Sequence, residues 1–222
     1  MNRRDFKKYL AEFIGTFALV LCGTGSIIVN QHSEGALGLL GIALAFGFII
    51  TSMIYIFGPI SGSHINPAVT IALLVGKLMS LKDSVYYIIF QIFGAIAASS
   101  LLVYLFPDNL TLGATLPSGS ASQSFIIEVV CTFFLMLTIL GITSQKSKES
   151  VALAGIVIGF IVMGLIMLSG PISGGSFNPA RSIGPALLSG NVSSLWIYLI
   201  APTFGAILAT FTWQFISSET VD

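Results

Sequence analysis

The chain has 222 residues, of which 55% are apolar and only 8% charged, with nine Lys and Arg balanced by nine Asp and Glu. Soluble domains carry about 25% charged residues, so this composition, at mean hydropathy +0.97, describes a polytopic membrane protein. No basic patch is available to neutralise phosphates, which excludes nucleic acid as a partner.

The N-terminal stretch Met1–Lys8 carries Arg3, Arg4, Lys7 and Lys8 and is expected on the cytoplasmic side. A first apolar span covers about Tyr9–Val29. It holds Glu12 and lacks a small-residue cleavage site, so it reads as a retained helix. Span two, about Leu37–Phe57, has no charge. A Gly/Ser-rich segment and a short apolar stretch follow, then a link with Lys77, Lys82 and Asp83. Span three is about Val85–Phe106. The polar loop from Pro107 to Gln123 has no Lys or Arg and is expected outside. Span four is about Ser124–Ile142, the loop Thr143–Ser150 with Lys146 and Lys148 is expected inside, and span five is about Val151–Leu168. A second Gly/Ser-rich segment, span six at about Leu195–Ile216 and a short acidic tail complete the chain. Cys22 and Cys131 fall inside apolar spans and read as small buried hydrophobes, without a disulfide or metal framework.

The two Gly/Ser-rich segments are copies. Gly58-Pro-Ile-Ser-Gly-Ser-His-Ile-Asn66-Pro67-Ala68-Val-Thr70 returns as Gly170-Pro-Ile-Ser-Gly-Gly-Ser-Phe-Asn178-Pro179-Ala180-Arg181-Ser182, identical at eight of thirteen positions. Asn is a strong N-cap and Pro suits the first helical position, where its missing N–H has no intrahelical use. Each copy therefore predicts irregular backbone ending in a helix start. The helices run on to Gly76 and to about Pro185, roughly half of a bilayer core that is about 30 Å thick. Irregular backbone at membrane depth is tolerated where it lines a cavity, and matched interrupted segments in two halves point to a transport site.

Of the nine cationic residues, eight lie on segments this six-span order puts inside; the ninth is Arg181. With three spans per half, the second half inserts inverted. The duplication reaches the spans as well, since Glu12-x-x-x-Thr16-Phe17 matches Glu128-x-x-x-Thr132-Phe133. The expected fold class is an all-α membrane protein: six transmembrane helices in inverted repeats at about 8–106 and 124–216, plus two half-helices, forming one domain. Gly94 and Ala98, and Gly205 and Ala209, have the small-xxx-small spacing of close helix crossings.

Paired Asn-Pro-Ala segments on six spans, the second continuing Arg181-Ser182, resemble the aquaporin (major intrinsic protein) family over about Lys8 to Phe215. The resemblance implies a right-handed six-helix bundle with re-entrant half-helices, a pore in every protomer and a homotetramer. It also implies roles for particular residues. The amides of Asn66 and Asn178 would donate to water in mid-pore. The carbonyls of Gly62, Ser63 and His64, and of Gly174, Gly175 and Ser176, would form acceptor ladders on either side. The outer constriction would fall on Phe46, Ile166, Gly175 and Arg181. Ile166 stands where strict water channels have His, which leaves the constriction wider and more apolar. Ser182 and Ala186 depart from the Asp and basic residue of glycerol facilitators, and Tyr198-Leu199 is similar to the nodulin-type branch.

An intramembrane Arg is costly and points to function, which makes Arg181 the foremost candidate. Glu12 and Glu128 read as structural acceptors for loop amides or as proton-relay carboxylates, and His64 as a packed loop residue or a protonation gate. Three functions follow: a passive water channel that admits small uncharged solutes; a facilitator for glycerol, urea, ammonia or metalloid hydroxides; and a proton-coupled transporter using the two carboxylates. An enzyme is not expected, for no Ser/His/Asp set, metal-ligand cluster or phosphate loop is present, and no cofactor or metal is implied. The chain is expected in the plasma (cytoplasmic) membrane with both termini cytoplasmic. Ile166→His should narrow the constriction, lowering glycerol flux into proteoliposomes by about tenfold while water flux survives; a rise in glycerol flux would remove position 166 from the constriction.

Overall fold

The computed structural model describes residues 3–145 and 147–217, with the side chains of 148–151 excepted. Lys146 and the acidic tail lie outside the described residues. Eight helices account for about four-fifths of them: α1 (Arg3–His32), α2 (Gly38–Ser61), α3 (Pro67–Val75), α4 (Leu81–Leu105), α5 (Ala121–Thr143), α6 (Lys148–Ser173), α7 (Pro179–Ser189) and α8 (Leu195–Ser217). Six are long and apolar enough to cross a membrane, and α3 and α7 are the half-length ones. At 1.5 Å per residue, nine and eleven residues reach about half the hydrocarbon core.

The long helices are longer than the hydropathy limits. The Gly58–Ser61 and Gly170–Ser173 runs, expected as irregular backbone, are the last turns of α2 and α6, with Pro59 and Pro171 inside them. A proline there deletes one helical hydrogen bond, and the apolar surroundings hold the remaining turn. Helix α7 likewise does not stop at Pro185 but continues to Ser189, where Gly190 closes it in the left-handed conformation.

The halves are related by inversion. Tyr9 near the start of α1 donates to Asp83 near the start of α4, so these helices begin at one end of the molecule. At that end Lys82 pairs with Asp5 at 2.8 Å, and Tyr55 late in α2 donates to the Ala152 carbonyl early in α6. The same end receives the C-terminus of α3, where Gln214 of α8 donates to the Gly76 carbonyl. At the opposite end Asn109 meets Gln31, and Asn191, just beyond α7, donates to the Leu110 carbonyl. Helix α3 therefore returns to one face and α7 to the other, with their N-termini meeting in the middle. Arg3, Arg4, Lys7, Lys8, Lys77 and Lys82 sit on segments at the first end, whereas Arg181 lies on α7.

One close crossing ties each half together. A Cβ on Gly94 would fall against the Phe13 carbonyl and 3.1 Å from the Phe17 nitrogen of α1. On Gly205 it would fall against the Val129 carbonyl and 3.2 Å from the Phe133 nitrogen of α5. Backbone cannot yield as a side-chain tip can, so these glycines set the α1–α4 and α5–α8 approach. Gly205→Val should destabilise the protein by about 1–3 kcal/mol through overpacking, read as a lower midpoint in thermal size-exclusion assays. Gly164→Val, on an open helix face with nothing within 4 Å, serves as the control that leaves the midpoint in place.

Candidate pore and constriction

Each half-helix starts on its Asn. Asn66 and Asn178 are extended, with φ of −157° and −154°, and their side-chain oxygens accept from Ala68 N at 2.9 Å and Ala180 N at 3.0 Å. These bonds satisfy N–H groups that a helix start leaves open. The amide nitrogens reach across: Asn66 Nδ2 donates to the Phe177 carbonyl at 2.8 Å, and Asn178 Nδ2 to the Ile65 carbonyl at 2.7 Å. Since an amide NH₂ has two protons, each Asn keeps a second donor after capping its own helix and pinning the other half.

The segments ahead of the caps have matched left-handed positions. Gly62 and Gly174 have φ of 86° and 84°, Ser63 and Gly175 49° and 59°, Ile65 and Phe177 44° and 53°. For a β-branched residue such as Ile65 this conformation is a true outlier, costing on the order of 1–3 kcal/mol. Two buried carboxyl groups hold it. Glu12 accepts at Oε1 from Ser61 Oγ (2.7 Å) and His64 N (2.9 Å), and at Oε2 from Ile65 N (2.6 Å) and Gln91 Nε2 (2.8 Å). Glu128 accepts at Oε1 from Ser173 Oγ (2.7 Å) and Ser176 N (2.8 Å), and at Oε2 from Phe177 N (2.8 Å). Tyr87 and Tyr198 add a second matched pair, donating at 2.7 Å to the Ser61 and Ser173 carbonyls.

A cavity of about 690 Å³ opens beside Tyr55, Thr143 and Ala152 and runs inward to Asn66 and Asn178, with Gly62, Ser63 and His64 along its wall. His64 is fixed there by Nδ1 at 3.1 Å from Thr70 Oγ1 and by an edge contact with Tyr87. Gly174, Gly175 and Ser176 do not border this cavity. They lie beyond the Asn pair, where a Cβ on Gly174 would meet Thr115 Cα at 3.2 Å and Ser176 Oγ lies 2.6 Å from Ser182 Oγ.

Phe46, Ile166, Gly175 and Arg181 come together on that second side. The Arg181 Cζ sits 5.3 Å from the centroid of the Phe46 ring. A Cβ on Gly175 would lie 3.6 Å from Ile166 Cγ1, and Phe46 and Ile166 belong to one buried apolar cluster. Arg181 is 1% exposed and donates Nη1 to the Gly113 carbonyl at 2.8 Å, while its Nε and Nη2 have no partner among the described residues.

Sequence reasoning missed several of these groups. Ser61 and Ser173 stand in the repeated Gly-Pro-Ile-Ser-Gly run, and Tyr87 and Tyr198 follow the same repeat, so extending the self-alignment would have found them. Gly113 acts through its backbone, and Gln91 has Pro202 at the corresponding place; neither leaves a sequence signal. Glu128→Gln would turn one acceptor into a donor facing N–H or O–H groups, costing about 1.5–3 kcal/mol per lost bond. The expected readout is a lower melting midpoint, with flux through the remaining folded protein independent of pH.

A family model described as Major intrinsic protein matches residues 2–213. The chain is 43% identical over 221 residues to a glycerol uptake facilitator protein-like 6 from Lactiplantibacillus plantarum, covering 96% of this chain and 99% of that protein. It is 37% identical to nodulin-26 of Glycine max, covering 95% of this chain and 78% of that one. The solved aquaglyceroporin from Plasmodium falciparum superposes with a TM-score of 0.88 at 25% identity, covering 98% of this chain and 99% of that one.

Proposed function

Because the chain belongs to the major intrinsic protein family, an integral multi-pass family of channels for water and small solutes, we propose that it is a passive pore for water and small uncharged solutes, glycerol included. The observation that carries this reading is the two-faced character of the Phe46–Ile166–Gly175–Arg181 group. One side offers the buried guanidinium with Nε and Nη2 unpartnered. The other offers a phenyl ring, an aliphatic side chain and a glycine. A polyol presents hydroxyls along one edge and C–H groups along the other, so it can meet both sides at once. Water needs only the donors. The full-length likeness to a protein named glycerol uptake facilitator protein-like 6 supports the same reading.

In this reading solute passes from the 690 Å³ cavity along Gly62, Ser63 and His64, accepts a hydrogen bond from the second amide N–H of Asn66 and Asn178, and continues past Gly174, Gly175 and Ser176 to the constriction. The N-termini of α3 and α7 place positive potential at the Asn pair, opposing protons and cations. Glu12 and Glu128 are structural, since their oxygens are occupied by loop and side-chain donors. The two repeats, about 8–106 and 124–216, form one channel domain. The cation-bearing end faces the cytoplasm, with both termini there, in the plasma (cytoplasmic) membrane, and four copies assemble.

The test is stopped-flow light scattering on proteoliposomes challenged with an impermeant osmolyte and, in parallel, with glycerol. Fast shrinkage in the first and fast reswelling in the second, both well above protein-free vesicles, are expected. Shrinkage without glycerol reswelling would reduce the reading to a water channel. Flux that follows a proton gradient would overturn it.

A further inference from the structure

Among the described glycines in helix interiors, Gly15, Gly23 and Gly155 lie against a side chain of another segment, and of these Gly23 of α1 is the one whose neighbour, Phe46, stands beside Arg181. A Cβ on Gly94, Gly205 or Gly184 would strike backbone of a neighbouring helix, which marks helix–helix approach. The atoms nearest a Cβ on Gly23 all belong to the ring of Phe46: it would overlap Cε1 and stand 2.6 Å from both Cδ1 and Cζ. Carbon atoms in contact prefer about 3.5–4.0 Å, so the ring edge rests directly on bare helix backbone. Gly23 is buried and Phe46 is 4% exposed, so the ring has no solvent-facing retreat. Its other boundary is the Arg181 guanidinium, 5.3 Å from the ring centroid.

The matched position of the second repeat, on α5, is Ile139, so the glycine is not a requirement of the duplicated fold. What distinguishes the first repeat at this level is the ring it accommodates. We infer that Gly23 is a specificity-determining residue: by omitting a side chain on α1 it seats the Phe46 ring back against the helix and so sets the width left beside Arg181. This rests on the proposed place of Phe46 in the constriction. A methyl group at position 23 moves the ring off α1 toward the guanidinium and the space it borders, and the largest permeant solute is the first to be excluded.

The test compares wild type, Gly23→Ala, Phe46→Val and Gly23→Ala/Phe46→Val in proteoliposomes normalised to folded protein. Water, urea and glycerol fluxes are read by stopped flow. Gly23→Ala is expected to lower the flux of the largest solute the wild type passes by about tenfold, with water changed less than about threefold. Phe46→Val alone should admit larger solutes, and the double variant should recover the flux lost in Gly23→Ala. A Gly23→Ala protein that loses water and solute in equal proportion, without recovery in the double variant, would make Gly23 a packing residue and overturn the inference. A Phe46→Val protein with unchanged solute range would instead overturn the constriction reading, and the inference with it. If Gly23→Ala does not reach the membrane, the double variant still decides. Removal of the clash should restore folding, and failure to do so counts against the inference.

Discussion

A short helix that begins in the middle of a bilayer has two difficulties: its first N–H groups lack partners, and the backbone leading to it cannot be solvated. Asn66 and Asn178 resolve both with one side chain each. The amide oxygen caps its own half-helix, and the amide nitrogen donates to the carbonyl just ahead of the other cap. Neither half can be ordered at this level without the other. The reciprocal bonds fix the separation of α3 and α7 and the orientation of the remaining amide protons, and with them the midpoint of the proposed pore.

The carbonyls that receive those bonds belong to Ile65 and Phe177, both left-handed and strained. They stay in place because Glu12 and Glu128 accept hydrogen bonds from the backbone N–H groups of the same residues. Each carboxyl is thus the inner support of a strained turn, itself supported by a serine hydroxyl from the end of α2 or α6. A buried carboxyl whose oxygens are taken up by loop amides, a serine hydroxyl and, for Glu12, the Gln91 amide has little capacity left for moving protons through a transport cycle. That argues from geometry for a passive pore over a coupled carrier.

Duplication supplies the frame and divergence supplies direction. Val69 and Arg181 occupy the same place in the two half-helices; Val69 borders the 690 Å³ cavity, and Arg181 faces Phe46 across the other half. Likewise Thr70 meets His64 in the first repeat, whereas Ser182 meets Ser176 and Thr115 in the second. A frame with matched backbone turns in its two halves thus carries a cavity lined largely by apolar residues on one side of the Asn pair and a buried guanidinium on the other, through a few side chains.

Much of this was legible in the chain itself. The repeat, the caps and the distribution of cations determined six spans, two half-helices and their inversion, because each is a local property: hydropathy over a bilayer's thickness, an Asn-Pro start, a charge that resists translocation. Local signals misplaced the helix ends at Gly58–Ser61, Gly170–Ser173 and Pro185, where proline suggests a stop and the packed surroundings keep the turn. What only the tertiary structure decided is who meets whom across the chain. No residue pattern announces that Asn66 reaches Phe177, that Gly113 offers its carbonyl to Arg181, or that Gly23 makes room for Phe46. Those contacts join segments distant in sequence, through backbone atoms or through the absence of a side chain, and neither carries a mark in the sequence.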